Sequence, residues 1–314
     1  MNRAQALAAA LVAGLSLSAC GGSDSEPAGA SGGDGSSTSG VGDTITVGSA
    51  NFPESVLLAE IYTAALESEG LMVEQRLNLG AREIYLSGLE DGSIDLIPEY
   101  TGALTLFLNP DASATAPFAV YAELEAALPD HLVVLEPSEV EDRDSIVVTK
   151  ATAAEYGLAA IGDLAPVAGE MVLGGPRTFE DRADGVAGLR DIYGLEFSAY
   201  RPLAAGSLLM TQALVNGQVD AANIFSTDPS IMANDFVVLA DPENLFVAQN
   251  LVPLVTKEAN SPLVRATLNR VSASLEADEL TSMLSEVQVD GDDPADVAQT
   301  FVDINLDSLP PTRP

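Results

Sequence analysis

Residues 89–101 read LEDGSIDLIPEYT, and residues 214–226 read LVNGQVDAANIFS. Leu89, Gly92, Ile94, Asp95, Tyr100 and Thr101 of the first stretch match Leu214, Gly217, Val219, Asp220, Phe225 and Ser226 of the second. In each copy a helix ends at a glycine, the residue that most readily takes the left-handed conformation needed after a helix C-terminus. A short apolar strand follows, with an aromatic and a hydroxyl residue just past it. Open α/β sheets place ligand contacts beyond the carboxyl ends of their strands. The repeat therefore predicts two similar lobes, each offering an aromatic ring to a shared crevice. The competing reading is coincidence, because L-x-x-G-x-[IV]-D is a common way to end a helix and begin a strand.

Working outward, Thr44–Gly48 alternates and reads as a first strand. Asn51-Phe52-Pro53-Glu54 opens a helix that runs to about Glu69, with Asn or Ser near the cap and proline in the first turn. Met72–Leu77 is a strand, Ala81–Glu90 a helix and Ile94–Ile97 a strand. This β-α-β-α-β order predicts a mostly parallel sheet with helices on its faces. Pro117–Leu128 reads as a helix and Leu132–Leu135 as a strand. A second α/β series starts near Ser145 and runs through strands at Met171–Leu173, Phe197–Tyr200, Val219–Ile224 and Phe236–Leu239. Leu251–Val255 reads as a strand returning to the first series, followed by helices at Pro262–Leu275, Asp278–Val287 and Pro294–Asn305.

The N-terminus is processed rather than folded. Arg3 supplies a positive start, Ala4–Leu17 is apolar, and Leu17-Ser18-Ala19-Cys20 follows. The apolar run suits a secretory signal and is short for a membrane span, which needs roughly 20 residues. The tetrad resembles the lipobox of bacterial lipoproteins, which marks residues 1–20 as a lipoprotein signal peptide and implies that Cys20 is lipidated and becomes the first residue after cleavage. Residues 21–43 are rich in Gly, Ser, Ala and Asp and read as a flexible linker. The expected location is the extracytoplasmic face of the cell membrane, held there by the lipid anchor.

Composition narrows the remaining chemistry. A formal charge of −34, with only two lysines (Lys150 and Lys257), argues against nucleic acid, whose phosphates are bound by Lys and Arg. Cys20 is the only cysteine, so the mature chain has no thiolate metal site and no disulfide. His131 is the only histidine and sits in a loop before a strand. Asp290-Gly291-Asp292-Asp293 lacks the twelve-residue spacing and closing Glu of a calcium loop. Gly174-Gly175-Pro176 lacks the phosphate-cradling glycine patterns and reads as backbone room beside the crevice. No cofactor, metal or catalytic group is expected.

Gly48-Ser49-Ala50-Asn51-Phe52-Pro53-Glu54, Pro98-Glu99-Tyr100-Thr101-Gly102 and Phe225-Ser226-Thr227-Asp228 together resemble the substrate-binding proteins of ABC importers for glycine betaine, choline and related osmoprotectants. Further matches are Phe179-Glu180-Asp181-Arg182, Asp184-Gly185, Gly188-Leu189, Tyr193-Gly194-Leu195 and Gln288-Val289-Asp290. The resemblance spans residues 44–303 and implies a two-lobed, type II-like periplasmic-binding-protein fold with two crossing strands. Lobe one would comprise 44–144 plus 250–314, and lobe two 145–249. It implies a monomeric, non-catalytic protein that closes on its ligand and serves ABC permease and ATPase subunits.

In that family a cage of tyrosines holds a quaternary ammonium group, while a Lys, an Arg and a Thr hold the betaine carboxylate. Carried over, Tyr100 matches one cage tyrosine and Phe225 replaces another. Asp144 and Gln249 stand where two more are expected, near the crossings. Arg182 matches the arginine, but Ala50 and Ala103 stand in place of the lysine and threonine. Asn51, Phe52, Thr101, Ser226 and Thr227 complete the expected ligand-binding set. A carboxylate at Asp144, with Asp142 or Glu141, favours a cationic ligand lacking a carboxylate; alternatively 141–144 is a solvated acidic turn. The other functional readings are a binder of a different small polar or cationic solute, or a sensor or enzyme on the same scaffold, since fold does not fix function.

Overall fold

The computed structural model describes residues 44–306; Cys20, the signal segment, the linker and the last eight residues lie outside them. The chain opens with β1 (Ile45–Gly48), α1 (Pro53–Ser68), β2 (Val73–Arg76), α2 (Arg82–Asp91), β3 (Leu96–Tyr100), α3 (Thr101–Leu108), α4 (Pro117–Ala127) and β4 (Leu132–Val134). It continues through β5 (Asp144–Val148), α5 (Lys150–Tyr156), β6 (Val172–Gly175), α6 (Val186–Tyr193), β7 (Ala199–Pro202), α7 (Leu208–Val215), β8 (Ala221–Phe225), α8 (Ser230–Ala233) and β9 (Val237–Val238). It ends with β10 (Leu251–Thr256), α9 (Pro262–Ser274), α10 (Ala277–Ser285) and α11 (Pro294–Asn305). No described helix is long and apolar enough to cross a membrane.

The strands form two five-stranded sheets, ordered β2-β1-β3-β10-β4 and β7-β6-β8-β5-β9. β1 pairs parallel with β2 and β3, and β10 runs antiparallel to β3 and β4. The second sheet repeats this arrangement: β6 pairs parallel with β7 and β8, and β5 runs antiparallel to β8 and β9. The mostly parallel sheet expected from the β-α-β order is thus interrupted in each lobe by one reversed strand. Those strands, β10 and β5, are where the chain enters a sheet after crossing from the other.

Apolar clusters cover both faces of each sheet. In the first lobe, Leu57, Leu58, Ile61 and Leu66 of α1 pack with Leu268 of α9, Leu280 of α10 and Val302 of α11 on one face. Leu89, Ile97, Leu104 and Leu124 fill the other. Leu173, Phe179, Leu189 and Phe246 form the main core of the second lobe, and Met210, Leu214 and Ile224 pack on its opposite face. Truncating one such buried leucine to alanine costs about 2–5 kcal/mol. Hydroxyl or carboxylate caps start four helices, with Thr149, Ser207, Ser261 and Asp293 accepting from first-turn N–H groups. The acidic run at 290–293 therefore ends in a helix cap. α1 has no side-chain cap; Phe52 holds that position, and the Asn51 and Ser49 side chains do not.

The duplicated stretch folds the same way twice. Gly92 (φ +73°) and Gly217 (φ +65°) turn the chain out of α2 and α7 in the left-handed region. Asp95 then exchanges bonds with the neighbouring strand: its N–H donates to Thr46 O, and its carboxylate accepts from Thr46 N at 2.9 Å. Asp220 does the same with Val172, accepting from its N–H at 2.7 Å. These carboxylates delay each strand by about two residues relative to the sequence pattern. Tyr100 and Phe225 are therefore the last residues of β3 and β8, not residues beyond them.

Thr101 and Ser226 fasten the lobes to the crossings. Thr101 N–H donates to Asn250 O at 3.0 Å, and its hydroxyl accepts from Asn250 N at 3.1 Å. Ser226 N–H donates to Arg143 O, and its hydroxyl accepts from Arg143 N, both at 2.9 Å. The two crossings also pair with each other: Asp142 N–H donates to Gln249 O at 3.0 Å, and Leu251 N–H to Val140 O at 3.2 Å. Replacing Asp95 or Asp220 with alanine strands a backbone N–H that had a charged acceptor. Each change is expected to cost about 1.5–3 kcal/mol in urea unfolding. An unchanged unfolding midpoint in both variants would show that the two carboxylates do not hold the strand entries.

Candidate functional site

A cavity of about 720 Å³ opens between the carboxyl ends of the two sheets, within the size range of small-molecule sites. Phe52 enters it from the start of α1, Tyr100 from the end of β3 and Phe225 from the end of β8. The Phe52 ring centroid lies 6.2 Å from that of Tyr100 and 5.2 Å from that of Phe225, so three rings from two lobes form one aromatic wall. Tyr100 has no free hydroxyl: it donates to Glu54 Oε1 at 2.6 Å. Burial, reinforced by the Glu54 charge, raises the Tyr100 phenol well above its ordinary value and keeps it neutral.

Arg182 lies on a loop pinned by two glycines. A methyl group at Gly185 would overlap the carbonyl of Phe179, and one at Gly188 the carbonyl of Ala183. The guanidinium sits 5.5 Å over the Phe179 ring, donates to Asp144 Oδ2 at 2.9 Å and pairs with Asp184 Oδ1 at 3.1 Å. Asp144 also accepts from Asn223 Nδ2 at 2.8 Å. Burial opposes the Arg182 charge, but the two carboxylates outweigh it and raise its proton affinity.

Asp144 and Gln249 both line the cavity, as do Asn51, Ala50 and Ala103. Gln249 has a second task. Its Oε1 accepts from Ala103 N at 2.9 Å, capping the first turn of α3, which has no cap of its own. Three expected contacts lie behind the wall instead. Thr101 and Ser226 spend their hydroxyls on the crossings, and Thr227 donates to Glu54 Oε2 at 2.5 Å. At 141–144 the side chains alternate: Asp142 and Asp144 are buried beside the cavity, while Glu141 pairs with Arg143.

Arg82 and Tyr85 line the cavity but lie in no motif of the sequence, and Asp184 lines it too, although its motif pointed only to the family. Arg82 makes a fork on Glu99, with Nε to Oε1 at 2.7 Å and Nη2 to Oε2 at 3.0 Å, and the Tyr85 hydroxyl adds a third bond to Oε1 at 2.7 Å. Glu99 is fully buried, so removing Arg82 leaves an unpaired charge in the wall. Arg82→Leu is expected to cost about 3–5 kcal/mol in chemical denaturation, and Arg82→Leu with Glu99→Leu far less. Equal losses in the single and double variants would show that the pair is not the source of the cost.

Residues 43–303 match the family described as the substrate-binding domain of ABC-type glycine betaine transport systems. The chain is similar to the glycine betaine-binding protein YehZ of Escherichia coli strain K12, with 26% identity over 272 residues covering 82% of this chain and 89% of that protein. It is likewise similar to the carnitine transport binding protein OpuCC of Listeria monocytogenes, at 26% identity over 270 residues, 84% of this chain and 87% of the other. A crystal structure of a glycine betaine/carnitine/choline ABC transporter superposes with a TM-score of 0.67 at 24% identity, covering 82% of this chain and 97% of that one, and shares the fold. With its two sheets, its paired crossings and a match over nearly all the described residues, this chain belongs to the family of substrate-binding domains of ABC-type glycine betaine transport systems.

Proposed function

We propose that this protein captures a quaternary amine between its lobes and delivers it to the permease and ATPase of an ABC importer. The observation that carries this reading is the aromatic wall of Phe52, Tyr100 and Phe225, drawn from both lobes and set beside Asp142 and Asp144. Ring faces attract a delocalised cation, each by about 0.5–2 kcal/mol depending on desolvation. The lobes are taken as 44–144 with 250–314, and 145–249. The protein acts as a monomer without catalysis, held on the extracytoplasmic face by a lipid on Cys20 and a tether over 21–43.

The polar side of the cavity favours a ligand with a hydroxyl over one with a carboxylate. A betaine carboxylate would compete with Asp144 and Asp184 for Arg182, and Ala50 and Ala103 offer it no side-chain donor. A choline-like cation makes no such demand on Arg182.

Calorimetry with choline and glycine betaine tests the site. Tyr100→Ala should weaken choline binding by about three- to thirtyfold, and Phe225→Tyr should be tolerated. Choline should also survive Arg182→Ala better than glycine betaine does. Parent-like affinity in Tyr100→Ala would leave the family assignment standing and remove the aromatic site. The anchor is tested separately: Cys20→Ser should move the protein from the membrane fraction to the soluble one, and an unchanged membrane fraction would refute lipidation at that residue.

A further inference from the structure

Glu54 belongs to α1 of the first lobe, yet it is bonded to both lobes. Its Oε1 accepts from the Tyr100 hydroxyl at 2.6 Å, and its Oε2 accepts from the Thr227 hydroxyl of the second lobe at 2.5 Å. Thr227 N–H in turn donates to Asp142 Oδ1 at 3.2 Å, and the Ser226 hydroxyl reaches the same oxygen at 3.3 Å. Glu54 and Asp142 are each only 3% exposed, and Thr227 bridges them, its hydroxyl on Glu54 and its N–H on Asp142. Two buried carboxylates sharing one such site disfavour each other's charge, so a proton on one of them is favoured.

The surroundings supply no competing cation. Tyr100 of β3, Asp142 on the outward crossing, and Thr227 and Asp228 beyond β8 face Glu54. Asp142 faces Glu54 and Asp144, and Arg182 is committed to Asp144 and Asp184. Among the described residues no lysine or arginine pairs with Glu54, Asp142 or Asp228.

We propose that Glu54 and Asp142, both bonded to Thr227 of the second lobe, form a proton-holding latch: closure takes one proton from solvent onto the carboxyl pair, so ligand is held more tightly in acid. The proposal rests on reading the cavity as the ligand site and adds its regulation. Burial, followed for Asp142 by the Glu54 charge, raises both groups in this structure, where the lobes touch at Thr227 and at the Phe52 and Phe225 rings. In an open form both carboxyls are hydrated and ordinary. The sign follows: a group raised on closing favours the closed form fully below its open-state value, and loses that effect as pH rises through its closed-state value. One proton taken up corresponds to an affinity change of up to about tenfold per pH unit within that window.

The test combines scattering and calorimetry on the full mature chain over a pH series from mildly acidic to mildly alkaline. Without ligand, the parent's radius of gyration should grow with rising pH, while Glu54→Gln, which mimics the protonated carboxyl, should remain compact throughout. With choline, the parent should weaken as pH rises and take up close to one proton, measured by comparing buffers of different ionisation enthalpy. Glu54→Gln should hold its acid-end affinity at every pH, and Asp142→Asn should flatten the profile in the same way. A parent whose size and choline affinity are both independent of pH overturns the latch. If choline fails to bind but the ligand-free size still follows pH and Glu54→Gln abolishes that response, the ligand reading fails and the latch stands. If choline binds through Tyr100 with no pH response, the reverse holds.

Discussion

One short backbone pairing, between Asp142 and Gln249 and between Leu251 and Val140, joins the two halves of this molecule. The two passes of the chain between the sheets lie side by side there, and each is gripped by one lobe at its near end. Thr101 holds the return pass at Asn250 and Ser226 the outward pass at Arg143, with the same two-bond pattern. Backbone hydrogen bonds of this kind are short and directional, so they fix where one lobe ends and the other begins. Hinge motion in two-lobed binders is absorbed by a few residues at element ends.

The chemistry of the cleft grows from the same place. β10 and β5 each enter a sheet directly from a crossing, pairing Leu251 with Tyr100 and Asp144 with Phe225. Each lobe's aromatic residue is therefore set by its registration against the hinge strand. Polar groups around the cavity arrive already paired: Arg82 with Glu99, Arg182 with Asp144 and Asp184, Gln249 with the first turn of α3. Such pre-bonded groups are held in position before a ligand arrives, which lowers the ordering cost of binding.

Much of this was legible in the chain. The helix ends at Gly92 and Gly217 lie in the left-handed region, as the repeat suggested, and the element order followed from apolar periodicity. Strand starts were misplaced by about two residues because Ile94-Asp95 and Val219-Asp220 look like strand, although the aspartates are bonded sideways to a neighbour. α3 escaped notice because Thr101–Leu108 has no polar face, and its cap comes from Gln249, 146 residues away. Tyr100 and Phe225 could be found from a repeated motif, and Phe52 from the family resemblance. Arg82, Glu54 and Asp184 could not, because their roles are defined by partners brought together only by folding, such as Thr227, 173 positions from Glu54.

Gln249 gives the hinge one further property. Its side-chain oxygen caps α3 while its backbone carbonyl receives the N–H of Asp142 on the other crossing. A single residue thus carries both a helix terminus and a link between the crossings. The partial positive charge at the start of α3 is thereby bonded, through one side chain, to the place where the two passes of the chain meet. Losing the Gln249 amide oxygen would leave the Ala103 N–H without its acceptor at that same point, so the start of a helix and the junction of the lobes are exposed to one substitution.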